Sequence, residues 1–204
     1  MHARIAYFEG GGPSSMEEGR RITEERFLPM LREMSGYSGH LQLGNLESGR
    51  AMVVTLFASE DDLRTGDQKL EEMSPPPEFG DVRRTGLERY EVAIHDVEQD
   101  AQAARVSRLE GSPDRLDTGI RNAQENILPQ ARRIEGNRGA LGFVDRQSGT
   151  TLIITLWESM DALQRSEEQA NSLRQQSADA GGQTIASVDR YQVVTMQVPV
   201  GARR

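Results

Sequence analysis

The stretch Thr151–Leu163, TLIITLWESMDAL, is written twice in this chain. An apolar run reaches Trp157, stops at Ser159 and gives way to helical spacing, and MVVTLFASEDDL, Met52–Leu63, does the same. The echo extends well beyond the phrase. Leu28-Pro29 returns as Leu128-Pro129, Arg32 as Arg132, and Gly36, Gly39 and Leu41 as Gly136, Gly139 and Leu141. Ser48-Gly49 returns as Ser148-Gly149 and, shifted by one position, Arg89-Tyr90 as Arg190-Tyr191. The period is too long for a solenoid, so the chain is a tandem duplication of one domain-sized unit.

Each copy spells βαββαβ. In the first, Ala3–Glu9 is a strand, broken by Gly10, Gly11, Gly12 and Pro13. Ser14, with Glu17 three residues on, has the form of a capping box, and Met16, Thr23, Phe27, Met30, Leu31 and Met34 share one helical face. Pro29 inside that helix removes one backbone hydrogen bond and should bend its last turns. Tyr37–Leu46, the turn Glu47-Ser48-Gly49-Arg50 and Ala51–Phe57 form a hairpin. Ser59 caps a helix running to about Met73, which Ser74 and Pro75–Pro77 stop; a loop through Gly80 leads to a last strand, about Arg84–Ile94. His95–Gln102 is polar and acidic and reads as the linker. The second copy repeats the order, with Ser112-Pro113 opening its first helix, Ser159 capping its second, and Gln183–Pro199 as its last strand. The expected domains are 1–97 and 98–204.

The third strand of each copy decides how the copies relate. Met52, Val54 and Leu56 lie on one face and Val53, Thr55 and Phe57 on the other, matched by Leu152, Ile154, Leu156 and Ile153, Thr155, Trp157. Both faces are mostly apolar, so both should be buried. Two helices cover only one face of a four-stranded sheet; the other needs a second sheet, which the second copy can supply on a short linker. The expectation is an α+β fold: two ferredoxin-like βαββαβ repeats whose antiparallel sheets pair within one chain as an α/β barrel, a pseudo-dimer to which further self-association could be added.

Composition narrows the function. A net charge of -8 opposes binding to nucleic acid or to an anionic membrane surface. With no cysteine there are no disulfides, thiol nucleophiles or Cys-ligated metals. No apolar run approaches membrane-spanning length and the N-terminus reads as a strand, so a soluble, cytoplasmic protein is expected. Lys69, the single lysine, lies in a polar helix, a poor setting for a Schiff base.

The βαββαβ order, the Pro-bearing first helix ending at Gly36 before Tyr37 and Gly39, and TLWESMDAL together resemble the antibiotic biosynthesis monooxygenase domain of the dimeric α/β-barrel superfamily, once per copy. The resemblance implies a pocket between sheet and helices in each half. It also implies a cofactor-independent, monooxygenase-like protein that takes a small apolar or aromatic metabolite, polyketide-type included, whose anion reacts with dioxygen directly. Fold analogy does not assign chemistry, and a non-catalytic small-molecule binding or stress-response protein on the same scaffold is the alternative. The haem-degrading members place an Asn on the first strand and a Trp and a His on the second helix; Ile5, Tyr7 and Phe8 stand on the first strand here, and the helices after Ser59 and Ser159 have neither Trp nor His. No haem or other cofactor is therefore expected.

Few residues are left to carry chemistry. Trp157 and Phe57 end the third strands and either line a pocket or pack as core. Tyr90 and Tyr191 recur on the last strands and, with Tyr7, could offer hydroxyls to a ligand or to the protein itself. His40 points opposite to Leu41 and Leu43, and its counterpart is Ala140; it is the acid/base candidate, with a satisfied interior histidine as the alternative. His2 and His95 read as solvated. No metal-ligand spacing occurs, and Gly10–Gly12 lacks the Lys-Ser/Thr of a phosphate loop. The pairs Glu17-Glu18, Asp61-Asp62 and Glu167-Glu168 read as solvated charge favouring helix N-termini.

Overall fold

The computed structural model describes residues 1–72 and 81–200, with only the backbone of 13–15. The expected stop at Ser74–Pro77 and the loop through Gly80 lie outside the described residues, as does any cap made by the Ser14 side chain. The first repeat consists of β1 (His2–Glu9), α1 (Pro13–Ile22), a π-helical turn (Thr23–Phe27), α2 (Leu28–Arg32), β2 (Tyr37–Asn45), β3 (Arg50–Phe57), α3 (Glu60–Glu71) and β4 (Arg83–Val97). The second consists of β5 (Ala103–Gly111), a 3-10 turn (Pro113–Arg115), α4 (Leu116–Asn122), a π-helical turn (Ala123–Ile127), α5 (Leu128–Ala131), β6 (Asn137–Val144), β7 (Thr151–Trp157), α6 (Met160–Arg165), α7 (Glu167–Gly181) and β8 (Gln183–Gln197). The fold is α+β, and the hydrogen-bonded strand order β1-β3-β2-β8-β5-β7-β6-β4 is closed.

The expected bend at Pro29 takes a specific form. Proline has no N–H and its ring collides with the carbonyl four residues back. The chain widens by one residue in front of it: the Leu28 N–H bonds the Thr23 carbonyl, five residues back. Leu128 does the same to Ala123 before Pro129. Helix starts also depart in part from expectation. α1 begins at Pro13 with Gly12 at the cap position, so Ser14 lies one residue inside the helix. Ser59 and Ser159 cap as expected, accepting from the N–H of Asp62 and of Ala162. The helix after Ser159 is interrupted at Ser166 into α6 and α7.

β4 runs on through His95, Asp96 and Val97, where a linker was expected, because those residues pair with β6 from Glu91↔Val144 to Val97↔Gly139. Only 98–102 connects the repeats. The chain forms two compact units, Met1–Tyr90 with Val193–Pro199, and Glu91–Gln192. In the first, β1, β3 and β2 lie side by side, Gly86 of β4 flanks Tyr7, and Gln197 and Val198 flank Gly39. In the second, β5, β7 and β6 lie side by side, flanked by the early part of β8 and the late part of β4. Both faces of β3 and β7 are largely buried, as their composition requires: Val54, Leu56, Ile154, Leu156 and Phe57 are fully enclosed. Among the described residues no helix is long and apolar enough to cross a membrane.

Candidate functional site

Strand alternation puts Arg4, Ala6 and Phe8 of β1, Val53 and Thr55 of β3, and His40 and Gln42 of β2 on one face of the first unit's sheet, beneath α1 and α2. Register does the rest. Thr55 pairs with Arg4 on one side and with His40 on the other, so His40, Thr55 and Arg4 form a row across three strands. Gln42, Val53 and Ala6 form the next row. Between these rows and the helices lies a cavity of about 190 Å³, walled also by Thr23, Phe27 and Leu31.

His40 is the notable group on this wall. It is 3% exposed, and neither ring nitrogen has a hydrogen-bond partner among the described residues. Burial pushes its pKa down to about 4, so the ring is neutral at neutral pH. Gln42 is held in one orientation, its oxygen accepting from Thr23 Oγ1 at 3.0 Å and Thr195 Oγ1 at 3.4 Å. The Arg4 Nε donates to Asp67 Oδ1 at 2.6 Å, and Arg89 Nε donates to the other carboxylate oxygen at 2.6 Å.

The second unit keeps this plan with different contents. Its row is Ala140–Thr155–Arg105, and its cavity holds only about 80 Å³. Arg105, 1% exposed, donates through Nη2 to the Leu163 carbonyl at 2.7 Å and to Glu167 at 3.0 Å, and Arg190 reaches the same Glu167 oxygen at 2.7 Å. Glu167 is therefore not merely solvated charge at a helix start: it is the counterpart of Asp67. An arginine on the first strand, a carboxylate on the helix after the third, and an arginine on the last strand recur in both copies. The repeated arginine on an otherwise apolar strand is the signal that marks this triad in the sequence.

The residues singled out from sequence are dispersed. His40 lines the first cavity and Trp157 the second, where its Nε1 donates to Thr155 Oγ1 at 3.1 Å. Phe57 is fully buried in a core cluster with Leu28, Leu31, Met34 and Leu63, off the cavity wall. The Tyr7 and Tyr90 hydroxyls both donate to Glu88 Oε2, at 2.6 and 2.9 Å, outside the cavity. Tyr191 is buried and lines neither cavity. His2 and His95 are half-buried within β1 and β4. Sequence reasoning missed Arg4, Thr55 and Gln42, ordinary strand residues until register aligns them.

These features define an α+β protein of two ferredoxin-like repeats with a closed strand order and a helix-covered cavity in each repeat. Rv2557, an uncharacterized protein of Mycobacterium tuberculosis, is 26% identical over 164 residues, covering 78% of this chain and 72% of the relative. No protein-family model matches. An anthrone oxidase-like protein superposes with a TM-score of 0.67 at 16% identity, covering 96% of this chain and 92% of the other. A Listeria monocytogenes ferredoxin-fold protein related to antibiotic biosynthesis monooxygenases gives 0.52 at 9%, covering 95% of each chain. The heme-degrading enzyme LmHde of Listeria monocytogenes gives 0.50 at 11%, covering 94% of this chain and 99% of the other. At these identities the likeness establishes the fold alone.

Proposed function

We propose that the first unit is a cofactor-independent, monooxygenase-like catalyst for a small aromatic or polyketide-type metabolite, with His40 as its acid/base. One observation carries the reading: a buried, neutral imidazole with neither nitrogen hydrogen-bonded among the described residues lines a largely apolar cavity. A structural histidine would have used at least one nitrogen to hold itself in place. An acidic hydroxyl or ring C–H set against His40 meets a proton acceptor with no competing partner. Desolvation makes the ring a weak base when alone, but transfer creates an imidazolium beside the substrate anion, and that pair is mutually stabilised in a dry cavity. The electron-rich anion then reacts with dioxygen. In the net change a ring CH2 and O2 become C=O and H2O, and no external electron donor is needed. The oriented Gln42 amide and Thr55 are placed to position the substrate oxygen.

The fold shared with an anthrone oxidase-like protein supports this reading by analogy. The test is oxygen consumption with anthrone and related phenols, comparing wild type with His40→Ala. Wild type should turn over and the variant should lose roughly 10²- to 10⁴-fold in rate. Failure of wild type across the panel, with ligand-dependent thermal stabilisation retained, would replace catalysis with the alternative of a non-catalytic small-molecule binding protein.

A further inference from the structure

The second unit's cavity has a different chemistry from the first. Arg105 is 1% exposed and lines the cavity, yet only its Nη2 is hydrogen-bonded; Nε and Nη1 have no partner among the described residues. A guanidinium carries five N–H donors, so three of them are idle. Its carbon stands 5.3 Å from the centre of the Trp157 ring, which shares the cavity wall. Arg174 of α7 lines the same cavity and is tethered only to neutral oxygens, through Nε to Ser107 Oγ at 3.0 Å and through Nη1 to Asn171. It forms no ion pair among the described residues. Glu167, the carboxylate that bonds Arg105, also accepts from Arg190 and so does not belong to Arg105 alone. Arg132, also on the wall, is occupied by Asp96. Positive charge thus exceeds negative where burial makes an unbalanced charge costly. The rest of the wall, Ile127, Leu128 and Leu173 among it, is apolar.

We infer that this cavity is a binding site for a small organic acid, its carboxylate held by Arg105 and Arg174 and its apolar body lying against Trp157. Guanidinium groups suit a planar carboxylate, and such a ligand supplies both the missing negative charge and acceptors for the idle donors. Burial and the neighbouring Arg105 charge both disfavour the protonated Arg174, which a bound anion would relieve. The first cavity differs: Arg4 there is paired with Asp67, the other arginine on its wall, Arg84, is exposed, and no tryptophan lines it.

Trp157 is the single tryptophan, so its fluorescence reports this cavity alone. Titration of the full chain with isobutyrate should give a saturable change in emission. The neutral isostere isobutyramide should give none. Arg174→Gln, a change on a half-buried helix position, should weaken isobutyrate at least about tenfold, a loss typical of a charge-assisted bond. Arg105→Met should abolish the response, with far-UV circular dichroism verifying that the variant is folded; if it is not, Arg174→Gln still decides. His40→Ala should leave the titration unchanged, which separates this site from the oxygenase reading. No saturable change with isobutyrate, equal binding of isobutyramide, or indifference to Arg174→Gln would overturn the inference. A response to inorganic phosphate without one to isobutyrate would overturn the organic-acid assignment.

Discussion

His40 and Ala140 hold the same place in two copies of one row, and only the first cavity carries an imidazole there. A buried, unpartnered imidazole has a thermodynamic signature that a solvated one lacks. Its pKa falls from 6.5 in the unfolded chain to about 4 in the folded one. The folded-state value is lowered, so as pH drops through 6.5 the unfolded chain takes up a proton that the folded chain refuses until about pH 4. Stability from this group is therefore constant above pH 6.5, declines between pH 6.5 and 4, and levels off below. The shift corresponds to about 3 kcal/mol. Urea unfolding of wild type and His40→Leu across that window should show the stability difference moving by this amount in favour of the variant. A pH-independent difference would mean that the ring is hydrated or paired. His40 was legible in the sequence because it broke an apolar strand in one copy only. Tyr7 was not placed by alternation, which tells which residues share a face but not which face carries the helices; Phe57 is on the helix-covered face, but its ring is packed among Leu28, Leu31 and Leu63.

At the scale of elements, the two copies agree most where a local defect needs a compensating device. Leu-Pro in the first helix is legible as a bend; that the bend is a π turn is not, because a wider turn and a simple kink both relieve the proline clash. The triads are a second such device, and sequence spacing hides them. Arg4 and Asp67 are 63 positions apart and belong to a strand and a helix. With both side chains about 7–8% exposed, their charges are removed from water and rely on each other. Asp67→Asn leaves the Arg4 guanidinium buried without its counter-charge and should cost about 3–5 kcal/mol in urea unfolding. Replacing both partners with apolar residues, as Arg4→Met with Asp67→Leu, should cost distinctly less than the single change, because no buried charge is then stranded: Arg89 is half exposed and still reaches Glu71. A loss below about 1 kcal/mol for Asp67→Asn would show that water reaches the pair.

At the scale of the whole chain, sequence periodicity and compactness divide the molecule differently. The repeat suggests a cut after residue 97, whereas the first compact unit draws in Val193–Pro199 and the second takes over at Glu91. Polar residues in His95–Gln102 suggested a linker, yet β4 continues to Val97 because a polar residue stays in a strand where it finds a partner: Asp96, on the wall of the second cavity, accepts from Arg132. This has a direct consequence for a fragment ending at 97. It lacks Gln197 and Val198, whose backbone runs beside Gly39 so closely that a side chain at that glycine would crowd it. It also carries Glu91–Val97, which in the full chain is paired with β6. Two strand edges are thereby left open, one at Gly39 and one along Glu91–Val97. The 1–97 fragment should therefore self-pair or aggregate, and co-expression with 98–204 should return a soluble one-to-one complex, since the pairing information lies in the strands and not in the covalent link. Light scattering reads the outcome directly. A monomeric 1–97 fragment that unfolds cooperatively would show that the repeat closes its own edges, and the division of the chain into exchanged units would have to be abandoned.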